Sequence, residues 1–127
     1  LTPLMSCLDG VVMNTEQKLQ ALIEKAEEFK AFDIKAYDVR GVCSYADFFL
    51  FLSGTSSVQI QSLAEALILL AKKADCPPLG WEGLDLAEWC LIDFGDILVH
   101  LFQPEKREFF GIEALWQRCP QVYSSPA

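Results

Sequence analysis

The chain has 127 residues, 52% of them hydrophobic, with 18 acidic and 10 basic side chains and a formal charge of −8. One domain with a sizeable core is expected at this length, and no apolar run reaches the ~20 residues that a membrane-spanning helix needs. The negative balance argues against gripping phosphate backbones, which takes Lys and Arg to displace counterions, and favours a basic partner or simply solubility.

Leu1 to Asn14 is apolar but has neither the basic start of a secretory signal nor the arginines of a transit peptide. It reads as a flexible lead-in, residues 1–14, ahead of a domain over 15–120 and a flexible tail over 121–127. Asn14 with Gln17 three residues on can cap a helix start. Leu19, Leu22, Ile23, Ala26 and Phe29 then repeat at helical spacing. A short strand is expected over Asp33 to Val39, stopped by Gly41. Tyr45 to Ser53 reads as a second strand, and its run Phe48-Phe49-Leu50-Phe51-Leu52 suits a central strand covered on both faces. Gly54-Thr55-Ser56-Ser57 ends it and opens a helix, with Ser56 and Gln59 as a capping pair. Ile60, Leu63, Ala64, Leu67, Leu70, Ala71 and Ala74 form that helix's apolar stripe. Lys72 and Lys73 complement its dipole, and Pro77-Pro78 blocks continuation.

The segment from Cys76 to Glu88 reads as a loop carrying Trp81-Glu82-Gly83. Two apolar runs follow, Trp89 to Phe94 and Ile97 to Phe102, split by Gly95-Asp96. Gly at the first central position suits a two-residue type II′ hairpin turn. That turn pairs Phe94 with Ile97, Ile92 with Val99 and Cys90 with Leu101 on one wholly apolar side. The other side pairs Asp93 with Leu98, Leu91 with His100 and Trp89 with Phe102. Large apolar groups mixed with a carboxylate and an imidazole have the composition of a docking surface. After Pro104, Glu105 to Phe110 reads as a short strand or turn, and Ile112 to Arg118 as a last helix. The order is α-β-β-α-β-β-α with at most one more strand. The fold class expected is α/β, a single-layer mixed sheet flanked mainly on one side by helices, with the second strand, its helix and the third strand as the parallel crossover.

Few residues point to chemistry. The Gly54 turn could hold a phosphate on free amides, but it has neither the length nor the Lys of a Walker loop. Asp93-Phe94-Gly95 spells a kinase triplet in a chain far too short for a kinase. His100 is the single histidine, which excludes a multi-His metal centre, and nothing in the sequence joins it to a cysteine as a thiol dyad. Five cysteines without a CxxC pair read as free thiols. Between Asp75 and Asp96 there are six acids and no Lys or Arg, so an acidic field surrounds the first hairpin strand. No Asp-x-Asp pair occurs, and dispersed carboxylates of this kind usually form a solvated face.

Five stretches in order resemble the ribosomal silencing factor family, also called Iojap or RsfS. They are Lys30-Ala31-Phe32-Asp33-Ile34 with Asp38-Val39; Asp47-Phe48-Phe49-Leu50 running to Ser53-Gly54-Thr55-Ser56; Glu82-Gly83 with Trp89; Asp93-Phe94-Gly95-Asp96 with Val99-His100; and Arg107-Glu108-Phe109-Phe110 with Glu113-Ala114-Leu115-Trp116. Phe110 stands where the family often has Tyr, and the lead-in is unmatched. The resemblance implies a domain of nucleotidyltransferase-like fold with no enzymatic role and no cofactor or metal, since the Asp-x-Asp pair of that chemistry is missing. It implies binding to the large ribosomal subunit through its protein L-fourteen, which keeps the small subunit from joining and damps translation when nutrients are short. Organelle relatives act in large-subunit assembly. The setting implied is a bacterial cytoplasm, a mitochondrion or a plastid.

Together with the strand alternation, this makes Trp89, Leu91 and Phe102 the expected desolvated centre of a partner-binding face that also includes Leu98. Glu82, Asp93, Asp96 and His100 are its expected polar rim. Asp47 and Arg107 are expected to form an internal ion pair. The alternatives are a nucleotide-dependent enzyme at the Gly54 turn, an organellar assembly factor, or a homodimer through the mixed face.

Overall fold

A computed structural model describes residues 14–126; the expected lead-in, apart from Asn14, lies outside them. The elements are α1 Thr15–Glu28, β1 Phe32–Asp38, β2 Phe48–Ser53, α2 Ser57–Lys73, β3 Gly80–Glu82, β4 Trp89–Asp93, β5 Ile97–Phe102, α3 Pro104–Phe110, a 3₁₀ turn Ile112–Trp116, and β6 Gln121–Ser124. Six strands form one mixed sheet in the order β3-β4-β5-β2-β1-β6. Only β2 and β5 run parallel. The α/β class with a single mixed sheet is what the sequence indicates.

Both long helices start as their sequences dictate. Asn14 and Gln17 make a reciprocal capping box on α1, and the Ser56 hydroxyl accepts from the Gln59 amide at the head of α2. The two helices pack on one face of the sheet. Leu19, Leu22, Ile23 and Ala26 of α1 and Ile60, Leu63, Ala64 and Leu67 of α2 meet Ile34, Leu50, Leu52, Ile92, Val99 and Leu101. All six residues of β2 are buried, which fits its place inside the sheet with cover on both faces.

Several expectations are corrected. The second strand begins at Phe48, not Tyr45, because Asp47 and Phe48 turn their amides to the Asp96 carbonyl of the hairpin turn. The parallel neighbour of β2 is β5, the second hairpin strand, and not β4. The more apolar strand takes the interior position: five of six residues in β5 are buried, against two of five in β4. β3 lies in the stretch read as a loop and adds an edge to β4; three residues are too few for a periodicity to show. Glu105 to Phe110 is helical. Pro104 at the first turn fixes a helical φ, and Gly111 closes the helix with φ 59°. The expected last helix is only the 3₁₀ turn at Ile112–Trp116. The tail is strand β6 over Gln121–Ser124, because its backbone completes the free edge of β1 and its Tyr123 hydroxyl donates to Glu27 of α1 at 2.6 Å.

The hairpin forms in the register read from the sequence, with Trp89 opposite Phe102, Leu91 opposite His100 and Asp93 opposite Leu98. Gly95 takes φ 93°, the left-handed value its turn position requires. Cys90, on the core side, is fully buried, and burial pushes its thiol up to about 11. It behaves as a small hydrophobe. Cys43, Cys90 and Cys119 are free thiols.

Candidate functional site

Strand alternation and register bring one set of side chains to the face of the sheet opposite α1 and α2. β4 places Trp89, Leu91 and Asp93 there, β5 places Leu98, His100 and Phe102, and β2 places Phe49 and Phe51. Two aromatic rings on β2 demand a second cover, and the segment after β5 supplies it. The Trp116 ring packs edge-on to Phe49 at 4.6 Å, and the Phe110 ring lies 5.0 Å from Trp89. Ile112 and Cys119 complete this smaller core.

This cover corrects part of the expected docking face. Phe102 is fully buried and His100 is 4% exposed, so neither meets a partner. Alternation assigned them to the right face, but nothing local revealed the short helix folding back over it. His100 stacks on Phe51 at 4.6 Å and accepts a hydrogen bond at Nδ1 from the Trp89 indole N–H at 3.3 Å. The proton therefore sits on Nε2, which is buried with no partner among the described residues. Asp96 is also corrected. Its carboxylate accepts from Thr15 Oγ1 at 2.9 Å and Lys18 Nζ at 3.0 Å, and so pins the hairpin turn to the first turn of α1. The expected Asp47–Arg107 pair does not form. Arg107 bonds Glu113 through Nε and Nη2, and its Nη1 donates to Ser53 Oγ and the Asp33 carbonyl, each at 2.7 Å.

Burial holds the His100 imidazole well below its ordinary 6.5, at about 4, and the nearby Arg107 charge adds to the effect. The fold therefore favours the neutral ring. That preference stabilises the protein fully above about pH 6.5, where the unfolded ring is neutral too, and is lost as pH falls toward 4. A displacement of that size corresponds to about 3 kcal/mol. His100→Gln is thus expected to lose less stability than the parent between pH 6.5 and pH 4. Urea midpoints measured across that range check this, and equal slopes for the two proteins would contradict it.

Among the described residues, the end of the face formed by β3, β4 and the start of β5 remains open. Glu82 and Asp93 are exposed there, and Leu91 and Leu98 are half-buried. With Leu79 and Gly80 they line a shallow hollow of about 380 Å³. Trp89 lies half-buried at its side. Leu79 and Gly80 were missed by sequence reasoning, because β3 is too short to give a signal. Phe110 and Trp116 stand in recognisable motifs, but their role as cover shows only in three dimensions. The acidic field is narrower than its composition indicates, since Lys106 lies 3.9 Å from Glu88 and Lys18 neutralises Asp96.

Groups for bond chemistry are not gathered here. Among the described residues, no three His, Cys, Asp or Glu side chains are placed to hold a metal. At the Gly54 turn, Gln59 Oε1 accepts from both the amide and the hydroxyl of Thr55, at 2.6 and 2.7 Å. Its Nε2 spans to the carbonyls of Phe29 and Lys30. Side chains of the chain itself thus occupy donors that a phosphate would use.

Fold and site together define a mixed α/β domain with an acidic, apolar-floored patch that no other described residue covers at one end of its sheet. The chain belongs to the ribosomal silencing factor family: residues 12–126 match the family described as "Ribosomal silencing factor during starvation". A ribosomal silencing factor of Haemophilus influenzae is 38% identical over 98 residues, covering 77% of this chain and 96% of that one. Its Halalkalibacterium halodurans counterpart is 34% identical over 110 residues, covering 87% and 94%. A mouse protein named for mitochondrial assembly of the ribosomal large subunit is 32% identical, covering 77% of this chain and 44% of that one. A crystal structure of a Chromobacterium violaceum protein superposes with a TM-score of 0.81 at 30% identity, covering 91% and 92%. Family membership makes this chain a translation-regulation protein.

Proposed function

We propose that the chain docks on the large ribosomal subunit through the basic protein L-fourteen and keeps the small subunit from joining. The observation that carries this reading is the uncovered end of the sheet. Glu82 and Asp93 stand beside Leu91 and Leu98 on a face whose centre, at Phe49, Phe51 and Phe102, is buried under the segment after β5. A basic protein surface complements it in charge, and the half-buried leucines supply area to desolvate. Rigid strands hold the patch, so little order is lost on docking. The blocking step is steric: a domain seated where the subunits meet leaves no room for the second one. The name of the mouse relative favours a second use of the same contact, in large-subunit assembly.

Sedimentation with purified bacterial large subunits tests the reading. The chain is expected to travel with the large subunit and to lower the yield of joined ribosomes when small subunits are added. Absence from the large-subunit fraction would discard it. Binding that leaves joining unaffected would discard the blocking step and favour assembly.

A further inference from the structure

We propose that the hollow between Glu82 and Asp93 receives a single basic side chain of the partner, its stem over Leu91 and Leu98 and its charged head between the two carboxylates. This rests on the docking reading above and names what that surface selects. β3 pairs with β4 so that Gly80 faces Asp93 and Glu82 faces Leu91. All four positions therefore share one side of the sheet, and the two carboxylates are diagonal neighbours across the ladder.

The hollow exists because the position opposite Asp93 carries no side chain. A Cβ built on Gly80 meets no atom within 4 Å, and Gly80 is not among the glycines with positive φ. Its backbone thus has no need of glycine, and the space above it is open. The floor is aliphatic, which suits the methylene stem of Arg or Lys better than a short polar group.

The charges make the same selection. Neither Glu82 nor Asp93 forms an ion pair among the described residues, whereas Glu88 and Asp96 have Lys106 and Lys18. Asp93 is also oriented, since its Oδ1 accepts the Gly95 amide at 2.8 Å, and its Oδ2 has no hydrogen bond among the described residues. A neutral side chain in the hollow would leave two carboxylates desolvated without compensation, and an anionic one would be repelled. A cation on an aliphatic stem satisfies both floor and walls.

Gly80→Leu separates this from a general attraction of charges, because it fills the hollow and changes no charge. Purified large subunits are the probe, in a sedimentation titration. Gly80→Leu is expected to bind about tenfold more weakly than the parent with an unchanged melting temperature. Glu82→Gln/Asp93→Asn, in which Asn keeps the acceptor for the Gly95 amide, is expected to bind about tenfold more weakly and with a shallower dependence on salt. Parent-like binding by either variant overturns the single-side-chain hollow while leaving the docking reading intact. If the parent itself fails to bind, both fall together.

Discussion

Arg107→Ala is expected to lower the unfolding free energy by about 3 kcal/mol or more, the range found when one member of a buried ion pair is removed. Arg107 is 7% exposed, and its fork touches three separate parts of the chain. It grips Glu113 at the 3₁₀ turn with two hydrogen bonds, Ser53 at the end of β2, and the carbonyl of Asp33 in β1. Truncation leaves the Glu113 carboxylate and the Ser53 hydroxyl without their donor in a partly dry setting, and that desolvation dominates the loss. It also frees α3 from the sheet, so Trp116 and Phe110 lose their seats on Phe49 and Trp89. Arg107→Lys is expected to recover only a minor part, since an ammonium cannot serve Glu113 with a planar fork and reach Ser53 as well. Urea unfolding at pH 7 measures the change, and tryptophan emission should shift in the same samples. A loss below about 1 kcal/mol would show that packing, not the guanidinium, holds the cover in place.

This clamp also shows where reading the sequence stops. The hairpin was legible because a two-residue turn with Gly95 fixes register, and register fixes which side chains face together. β2 was legible because a run with no polar residue has no solvent side to offer. The cover over β5 was not. Arg107 and Glu113 are six residues apart with Gly111 between, a spacing that pairs no side chains on a helix. Their contact depends on a reversal at Gly111 that only the packed structure reveals. The same reversal takes His100 and Phe102 from a docking face into a core. Asp96 misleads for a related reason: it belongs to an acid-rich segment, yet its partner Lys18 lies 78 residues away. Composition assigns charge to a stretch of chain, whereas function depends on which charges remain unpaired after folding.

At the open end of the sheet, Leu91→Arg is expected to weaken large-subunit binding by about a hundredfold, or close to 3 kcal/mol. Leu91 sits half-buried beside Glu82, its partner across the ladder, with Asp93 two residues along the same face. An arginine there meets both carboxylates of its own chain, so the free protein is expected to keep its fold and a stability near that of the parent. The partner meets the opposite situation. Its cation finds the hollow filled and the acidic walls already neutralised, and only Leu98 is left of the apolar floor it would cover. Val58→Arg supplies the comparison, because Val58 is 72% exposed on α2, away from this face. It makes the same change in charge and is expected to leave binding unaltered. Equal losses at the two positions would mean that net charge alone drives association, and an unaltered Leu91→Arg would move the interface off this end of the sheet. A large loss at Leu91 alone would tie recognition to the end of the aromatic face where Glu82 and Asp93 stand exposed among the described residues.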